Sequence, residues 1–333
     1  MHKRPPTMES VLTPLAYIAQ RWTPSPKTVR RAALSAVVMT VVIIVTGGAV
    51  RLTGSGLGCD TWPKCTDDSL FTTSEQGIHG AIEFGNRMLT YVVSAAVGWV
   101  IVAARSAKPW RRELSRLGWL QFWIVVLNAV IGGITVRLEL NPWTVAVHFL
   151  AANALLTVTT LTWVRAGEGD GAARPRVPGP VRKLGWALVV VAGLLVAAGT
   201  TVTGSGEHAG DSSDVPRMPF DYASVAQVHA LFAWAVCALA LAVFFALRVV
   251  DAPDDVRARA RDLLVVLVAQ GGIGYVQYFT GVPEVLVGLH MLGSSLMWVA
   301  VLRLALSLRE RPVEAPAAGI PAQAPDAALS PTA

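Results

Sequence analysis

The segment AALSAVVMTVVIIVTGGAV, residues 32 to 50, decides the fold class, because it carries no charged side chain over a length that can span a bilayer. A helix needs about 20 mostly apolar residues to cross a hydrocarbon core of roughly 30 Å. Seven further apolar runs follow, and the eight starts lie near Ala32, Glu83, Gly118, Pro142, Lys183, Tyr222, Leu263 and Pro283. In a chain of 333 residues, 53% hydrophobic and 15% charged, this pattern predicts an all-α integral membrane protein with eight transmembrane helices.

Basic residues are concentrated in alternate loops between the apolar runs. They lie at 27–31, 105–116, 165–183, 248–261 and 303–311. Because such residues favour the cytoplasmic side, both termini are predicted to lie in the cytoplasm. The predicted location is the plasma (inner) membrane, which the chain crosses several times in contact with lipid. The same distribution accounts for the net charge of +6 and argues against a nucleic-acid partner. The polar stretch before residue 32 is too long for an ordinary signal peptide, so the first helix is expected to be retained.

The first outer loop contains the segment GCDTWPKC, residues 58 to 65. On the outer side an oxidising environment permits a disulfide between Cys59 and Cys65. The alternative is a metal site, which lacks a second cysteine pair or a nearby histidine to complete four ligands. Cys237 is expected to be a small core residue. Trp62 and Trp143 are expected to lie in the aromatic belt at the membrane interface.

The two halves of the chain show a weak internal repeat. VTGGAVRLTGSGLG (45–58) ends the first apolar run, and AAGTTVTGSGEHAG (197–210) ends the fifth. VIGGIT in the third run corresponds to QGGIGY in the seventh. The pattern predicts two parallel four-helix bundles related by a pseudo-two-fold axis along the membrane normal. The predicted organisation is a tail (1–31), a first unit (32–165), a linker (166–181), a second unit (182–308) and a disordered tail (309–333).

Three histidines lie within the fourth, sixth and eighth of the predicted transmembrane helices, each roughly 10 Å inside the outer end of its helix. They are His148, His229 and His290. A hydrogen-bonded core role is the alternative, but ionisable groups inside a membrane are costly and mostly functional. Imidazole is a common axial ligand of haem iron, and facing helices can hold a haem between them. His148 and His290 are 142 residues apart, and the same spacing applied to His229 gives position 87, next to Asn86.

These residues resemble the haem A synthases, membrane enzymes of terminal-oxidase biogenesis. The resemblance rests on GGAVRLTGSGLGCDTWPKC, on IEFGNR, on the three histidines and on the duplication, and it runs from about Ala32 to Leu308. It implies an oxidoreductase that converts the C8 methyl of haem O to a formyl group, with oxygen from water. It also implies that His229 and His290 bind a haem b cofactor, and that His148 binds the iron of the substrate haem.

The resemblance further implies a catalytic role for Glu83, the acid of the family's motif in the second helix. The family has a histidine three residues after this acid, where the present chain has Asn86. A substrate haem would then have His148 on one face and an open position on the other. His79 is an alternative iron ligand, although it lies about 10 Å nearer the outer surface than Asn86. Otherwise His79 orients Glu83 or a haem propionate.

Two arginines near the outer helix ends, Arg51 and Arg87, are candidates for binding the propionates. Alternatively, these arginines anchor their helices at the membrane interface or stabilise a turn. Glu83 has two structural alternatives: a solvated acid favoured by the dipole at a helix N-terminus, or an ion pair with Arg87.

Two other functions remain open on the sequence: a two-haem electron carrier of the b type, and a transporter with a His/Glu proton relay. The expected partners of a haem A synthase are a haem O synthase, an electron acceptor of unknown identity and the assembly of a terminal oxidase. Homo-oligomers are also compatible with the sequence.

Overall fold

The computed structural model describes residues 13–208, 210, 211 and 213–312, which are almost entirely helical. The helices are α1 (Pro14–Arg21), α2 (Pro26–Leu52), α3 (Gly77–Ser106), α4 (Arg112–Arg137), α5 (Pro142–Ala166), α6 (Gly179–Ser205), α7 (Tyr222–Val249), α8 (Asp254–Phe279) and α9 (Glu284–Ser307). Within these residues, the eight helices α2 to α9 are long and apolar enough to cross a membrane. The predicted fold class, an all-α protein with eight membrane spans, is confirmed.

Several spans begin earlier than the apolar runs predicted, because polar turns precede the apolar residues within the same helices. α2 begins at Pro26, where the Ser25 hydroxyl accepts a hydrogen bond from the Thr28 backbone N–H (3.2 Å). α8 begins at Asp254 rather than near Leu263, with two aspartates in its first turn. Acidic residues favour a helix N-terminus because they interact with its unpaired N–H groups.

The eight spans pack in two groups of four. In the first group, α2 and α4 each contact both α3 and α5; in the second, α6 and α8 each contact both α7 and α9. The groups meet where α9 packs against α2 and α5, and α5 packs against α6. There Met291 fills the space beside Gly48 that any side chain would occupy, and the Trp298 indole N–H donates to the Thr157 hydroxyl (2.9 Å).

Two outer turns, 142 residues apart, have the same backbone hydrogen bonds. In the α4–α5 turn, the Leu140 N–H donates to the Thr135 carbonyl (2.9 Å); in the α8–α9 turn, the Val282 N–H donates to the Gln277 carbonyl (2.8 Å). Both turns place two successive residues at positive φ: Glu139 (49°) and Leu140 in the first, Gly281 (77°) and Val282 in the second. This matches the spacing of His148 and His290, while the pseudo-two-fold relation of the whole units stays a prediction.

The linker and the start of the C-terminal tail pair at the opposite ends of the helices, on the side predicted to be cytoplasmic. Arg174–Pro175 (β1) and Arg309–Glu310 (β2) form a two-residue antiparallel ladder. Arg176 donates to both carboxylate oxygens of Asp255 (2.9 and 2.5 Å), and this pairing raises the pKa of the Arg176 guanidinium above its ordinary value. The disorder predicted for the tail concerns mainly residues 313–333, which lie outside the described residues, as do residues 1–12.

Candidate active site

His229 on α7 and His290 on α9 face each other inside the second group. Their ring centroids are 6.4 Å apart and their planes are inclined by 65°. Since a metal–imidazole bond measures about 2 Å, as known for zinc, one metal ion held between two imidazoles separates their ring centres by about 6 Å. The Nδ1 atoms of both rings are buried without a hydrogen-bond partner among the described residues. The pair therefore fits the axial ligation of one haem iron.

His148 on α5 is the corresponding imidazole of the first group. Its Nδ1 atom is also buried without a hydrogen-bond partner among the described residues, and the ring lies near the backbone of Asn128 on α4. No hydrogen bond to either ring nitrogen of His148 exists within the described part of the chain, so the ring is free to bind a metal through Nε2.

Each of these imidazoles, and Asn86 as well, lies opposite a glycine of the preceding helix. A Cβ atom at the glycine would lie 3.2 to 3.8 Å from the facing side chain; the pairs are Gly47–Asn86, Gly132–His148, Gly199–His229 and Gly274–His290. This arrangement was not predicted from the sequence. The signal was present, since Gly132 precedes His148 by the same number of residues as Gly274 precedes His290. Asn86 thus occupies a position built like those of the three imidazoles.

The side chain of Asn86 is held against α2. The Thr46 hydroxyl lies 2.8 Å from Asn86 Oδ1, and the same hydroxyl lies 3.0 Å from the carbonyl of Val42. This contact holds the carboxamide of Asn86 against α2, and the pairing of Asn86 with His148 across a haem site stays a prediction.

Glu83 is 6% exposed and uses both carboxylate oxygens. Oε1 accepts from Arg87 Nε (3.0 Å) and Nη2 (2.5 Å), and Oε2 accepts from the backbone N–H of Cys59 (2.7 Å). The ion pair considered as a structural alternative is thus present. The carboxylate of Glu83 also lies about one helical turn from Asn86, toward the outer end of α3. Glu83 thus holds the first outer loop against α3, and its catalytic role stays a prediction.

The two propionate candidates bond to backbone carbonyls. Arg87 Nη1 donates to the carbonyls of Thr61 (3.0 Å) and Lys64 (3.1 Å) in the first outer loop. Arg51 joins the two groups of helices, since Nε donates to the His208 carbonyl and Nη2 to the Thr203 carbonyl, both at 2.6 Å. These contacts fit the turn-stabilising role, and binding of propionates by either arginine stays a prediction.

His79 lies near the outer surface, exposed, with Nδ1 2.9 Å from the Ser55 hydroxyl. It borders an open polar cleft together with Asp60, Glu75 and Asp211. The structure does not bring His79 next to His148, and its role as an iron ligand stays a prediction.

Cys59 and Cys65 form a disulfide, with Cα atoms 4.5 Å apart; this prediction is confirmed. In the described ranges no three side chains of histidine, cysteine, aspartate or glutamate cluster as a metal site. Cys237, the remaining cysteine of the chain, is a half-buried free thiol in α7.

These features define a class of membrane protein with eight transmembrane helices, three inward-facing histidines and an outer loop closed by a disulfide. The chain belongs to the family of cytochrome oxidase assembly proteins, whose sequence pattern matches residues 30–302.

Individual relatives are named heme A synthases. The protein of Methylorubrum populi is 30% identical over 309 residues, covering 74% of this chain and 77% of the relative. That of Symbiobacterium thermophilum is 26% identical, covering 74% of this chain and 85% of the relative. The match to Exiguobacterium sibiricum, at 28% identity, spans only about half of each protein, 49% of this chain and 54% of the relative.

Proposed function

We propose that the protein is a haem A synthase, an oxidoreductase that converts the C8 methyl group of haem O to a formyl group. The observation that carries the proposal is the set of three inward imidazoles, each opposite a glycine, with Glu83 beside the first group. An electron carrier of the b type would need no buried acid at the edge of a haem site. Family membership and the named relatives support the same activity.

The second group is proposed to hold the cofactor, haem b, through His229 and His290. When bound, haem b supplies one-electron transfer toward an external acceptor. The protein contributes the facing glycines, which leave room for the two rings, and apolar walls that exclude water. The unpartnered Nδ1 atoms are consistent with neutral imidazoles that ligate through Nε2.

The first group is proposed to bind haem O as substrate, with its iron on His148. Oxidation of a methyl to a formyl group with water as the oxygen source releases four protons and four electrons. Glu83 is proposed to accept a proton near the reacting carbon, as a general base. Arg87 and the Cys59 N–H orient its carboxylate. Asn86 leaves the face of the substrate opposite His148 without a strong ligand.

The setting of this reaction is also part of the proposal. We place the protein in the plasma membrane with both termini in the cytoplasm, supplied by a haem O synthase and serving the assembly of a terminal oxidase. The electron acceptor is external to the chain, and homo-oligomers are compatible with this arrangement.

The test is haem extraction from cells that co-express a haem O synthase with this protein or its variants. Wild-type protein should convert haem O to haem A. Glu83→Ala should lower haem A formation by about 100-fold or more, the usual contribution of a positioned general base. Glu75→Ala, which removes an exposed acid of the same outer region, is the matched control and should convert normally. Equal amounts of haem O with and without the wild-type protein would refute the proposal.

A further inference from the structure

The indole of Trp62 does not lie free at the membrane interface. It fills the space where a side chain at Gly133 of α4 would lie. The preceding residue, Gly132, faces the ring of His148, with 3.2 Å between its would-be Cβ and Cε1. Trp62 and His148 therefore pack on adjacent residues of α4, and the indole lies at the outer end of the first group.

The loop that carries Trp62 is fixed from two helices. From α3, Glu83 accepts from the Cys59 N–H and Arg87 donates to the carbonyls on either side of Trp62 in the loop. From α4, Arg137 Nη2 donates to the carbonyl of Trp62 itself (2.9 Å). The disulfide closes the segment into a ring. These contacts hold the indole across the gap between the outer ends of α3 and α4.

The second group differs at the corresponding sequence position. The 142-residue spacing relates Gly133 to Tyr275, a side chain of α8 that stacks on Phe279 and whose hydroxyl lies 3.2 Å from the Trp234 indole nitrogen. The first group thus has a glycine and a loop-borne aromatic ring where the second has an aromatic ring of its own helix. In the first group the aromatic ring can be displaced without moving α4, because a separate segment of the chain carries it. This difference suits a first site that must exchange its ligand at every turnover, and a second that keeps its cofactor.

We propose that Trp62 contacts the substrate haem and closes the outer end of its site, retaining haem O until it is oxidised. This role rests on the proposed function. It makes Trp62 a substrate-binding residue, and it gives Arg87 and Arg137 the task of positioning the loop.

The test compares Trp62→Ala and Gly133→Ala with a matched control. Gly133→Ala displaces the indole and leaves the loop sequence intact. Trp143→Ala removes another outer tryptophan, half exposed at the start of α5 and packed on Phe220. Each full-length protein is purified from cells making haem O, and the ratio of haem O plus haem A to haem b is measured together with KM for haem O. Haem b in the second group reports on folding.

Trp62→Ala and Gly133→Ala should lower this ratio and raise KM about three- to tenfold, the usual value of one aromatic contact. Haem b content should stay unchanged, Trp62→Phe should recover most of the loss, and Trp143→Ala should behave as wild type. Unchanged ratio and KM in Trp62→Ala would overturn the proposal, and so would equal loss of both haem types, which marks a structural role. If wild-type protein retains haem b but never forms haem A, the proposed function fails instead.

Discussion

Replacing Gly274 by alanine should weaken the proposed binding of haem b in the second group. The added Cβ would lie 3.2 Å from Cε1 and 3.7 Å from Nδ1 of His290. Comfortable contacts between carbon atoms are about 3.5–4.0 Å, so the imidazole must move by a few tenths of an ångström away from its position opposite His229. Overpacking of this kind costs about 1–3 kcal/mol.

The loss of affinity can be calculated if this cost destabilises only the protein with haem b bound. Since about 1.4 kcal/mol is a factor of ten, haem b should bind about five- to a hundredfold more weakly. The control is Gly271→Ala, on the same helix, where a Cβ atom meets nothing within 4 Å. Both substitutions gain about 1 kcal/mol of helix propensity, so their difference isolates the contact with His290.

The assay is the transfer of haem b from purified protein to an excess of a haem-scavenging apoprotein, followed by absorption. Gly274→Ala should release haem b faster and Gly271→Ala should not. Equal release by the two variants would refute the claim that the glycine positions the ligand, because the helix effect of alanine is the same in both.

Three further substitutions test separate features. Asn86→His should place an imidazole opposite His148, so that the ferrous substrate haem no longer binds carbon monoxide; unchanged carbon monoxide binding would show that residue 86 does not face the iron. Cys59→Ser should destabilise the first outer loop by about 2–4 kcal/mol and reduce haem A formation, whereas Cys237→Ser should leave both nearly unchanged; equal effects would contradict the assigned disulfide role. Glu139→Gly should stabilise the α4–α5 turn by about 1 kcal/mol because Glu139 has φ of 49°. A longer half-life of the detergent-solubilised protein at fixed temperature would show it, and a shorter one would count against strain at this position.

The spans were predictable because a membrane helix is defined by its own composition. Each run of apolar residues needs no knowledge of its neighbours. What apolar counting missed are the polar ends, such as the first turns of α2 and α8, and the short helix α1. In α1 the Thr13 hydroxyl accepts from the Ala16 N–H and Arg21 stacks on Tyr17 at 3.6 Å. Such local contacts join polar groups, and a count of apolar residues carries no signal for them.

In the candidate site, too, some features could be predicted from the sequence and others could not. The matched depth of His148, His229 and His290 follows from helix rise and helix direction, both of which the sequence contains. The glycines opposite them, and the place of Trp62 on Gly133, depend on which faces of two helices meet. A single helix carries no record of that choice, because lipid and protein neighbours are equally apolar.

Polar contacts between distant segments were the least predictable part. From the sequence, Arg51 is a candidate for binding propionates or for stabilising a turn. In the structure, it donates hydrogen bonds to carbonyls of the second group of helices. Likewise, the backbone N–H of Cys59 becomes the partner of Glu83 only when the outer loop folds back over α3. Backbone groups are the same at every residue, so the sequence does not mark which of them a charged side chain will find.

The most direct test of the central claim is the mass of the haem extracted after membranes containing this protein are incubated with haem O in water enriched in heavy oxygen. We expect haem A whose formyl oxygen carries the label, formed by the wild-type protein and not by Glu83→Ala. Recovery of unchanged haem O from membranes in which the protein has bound haem b would contradict this expectation.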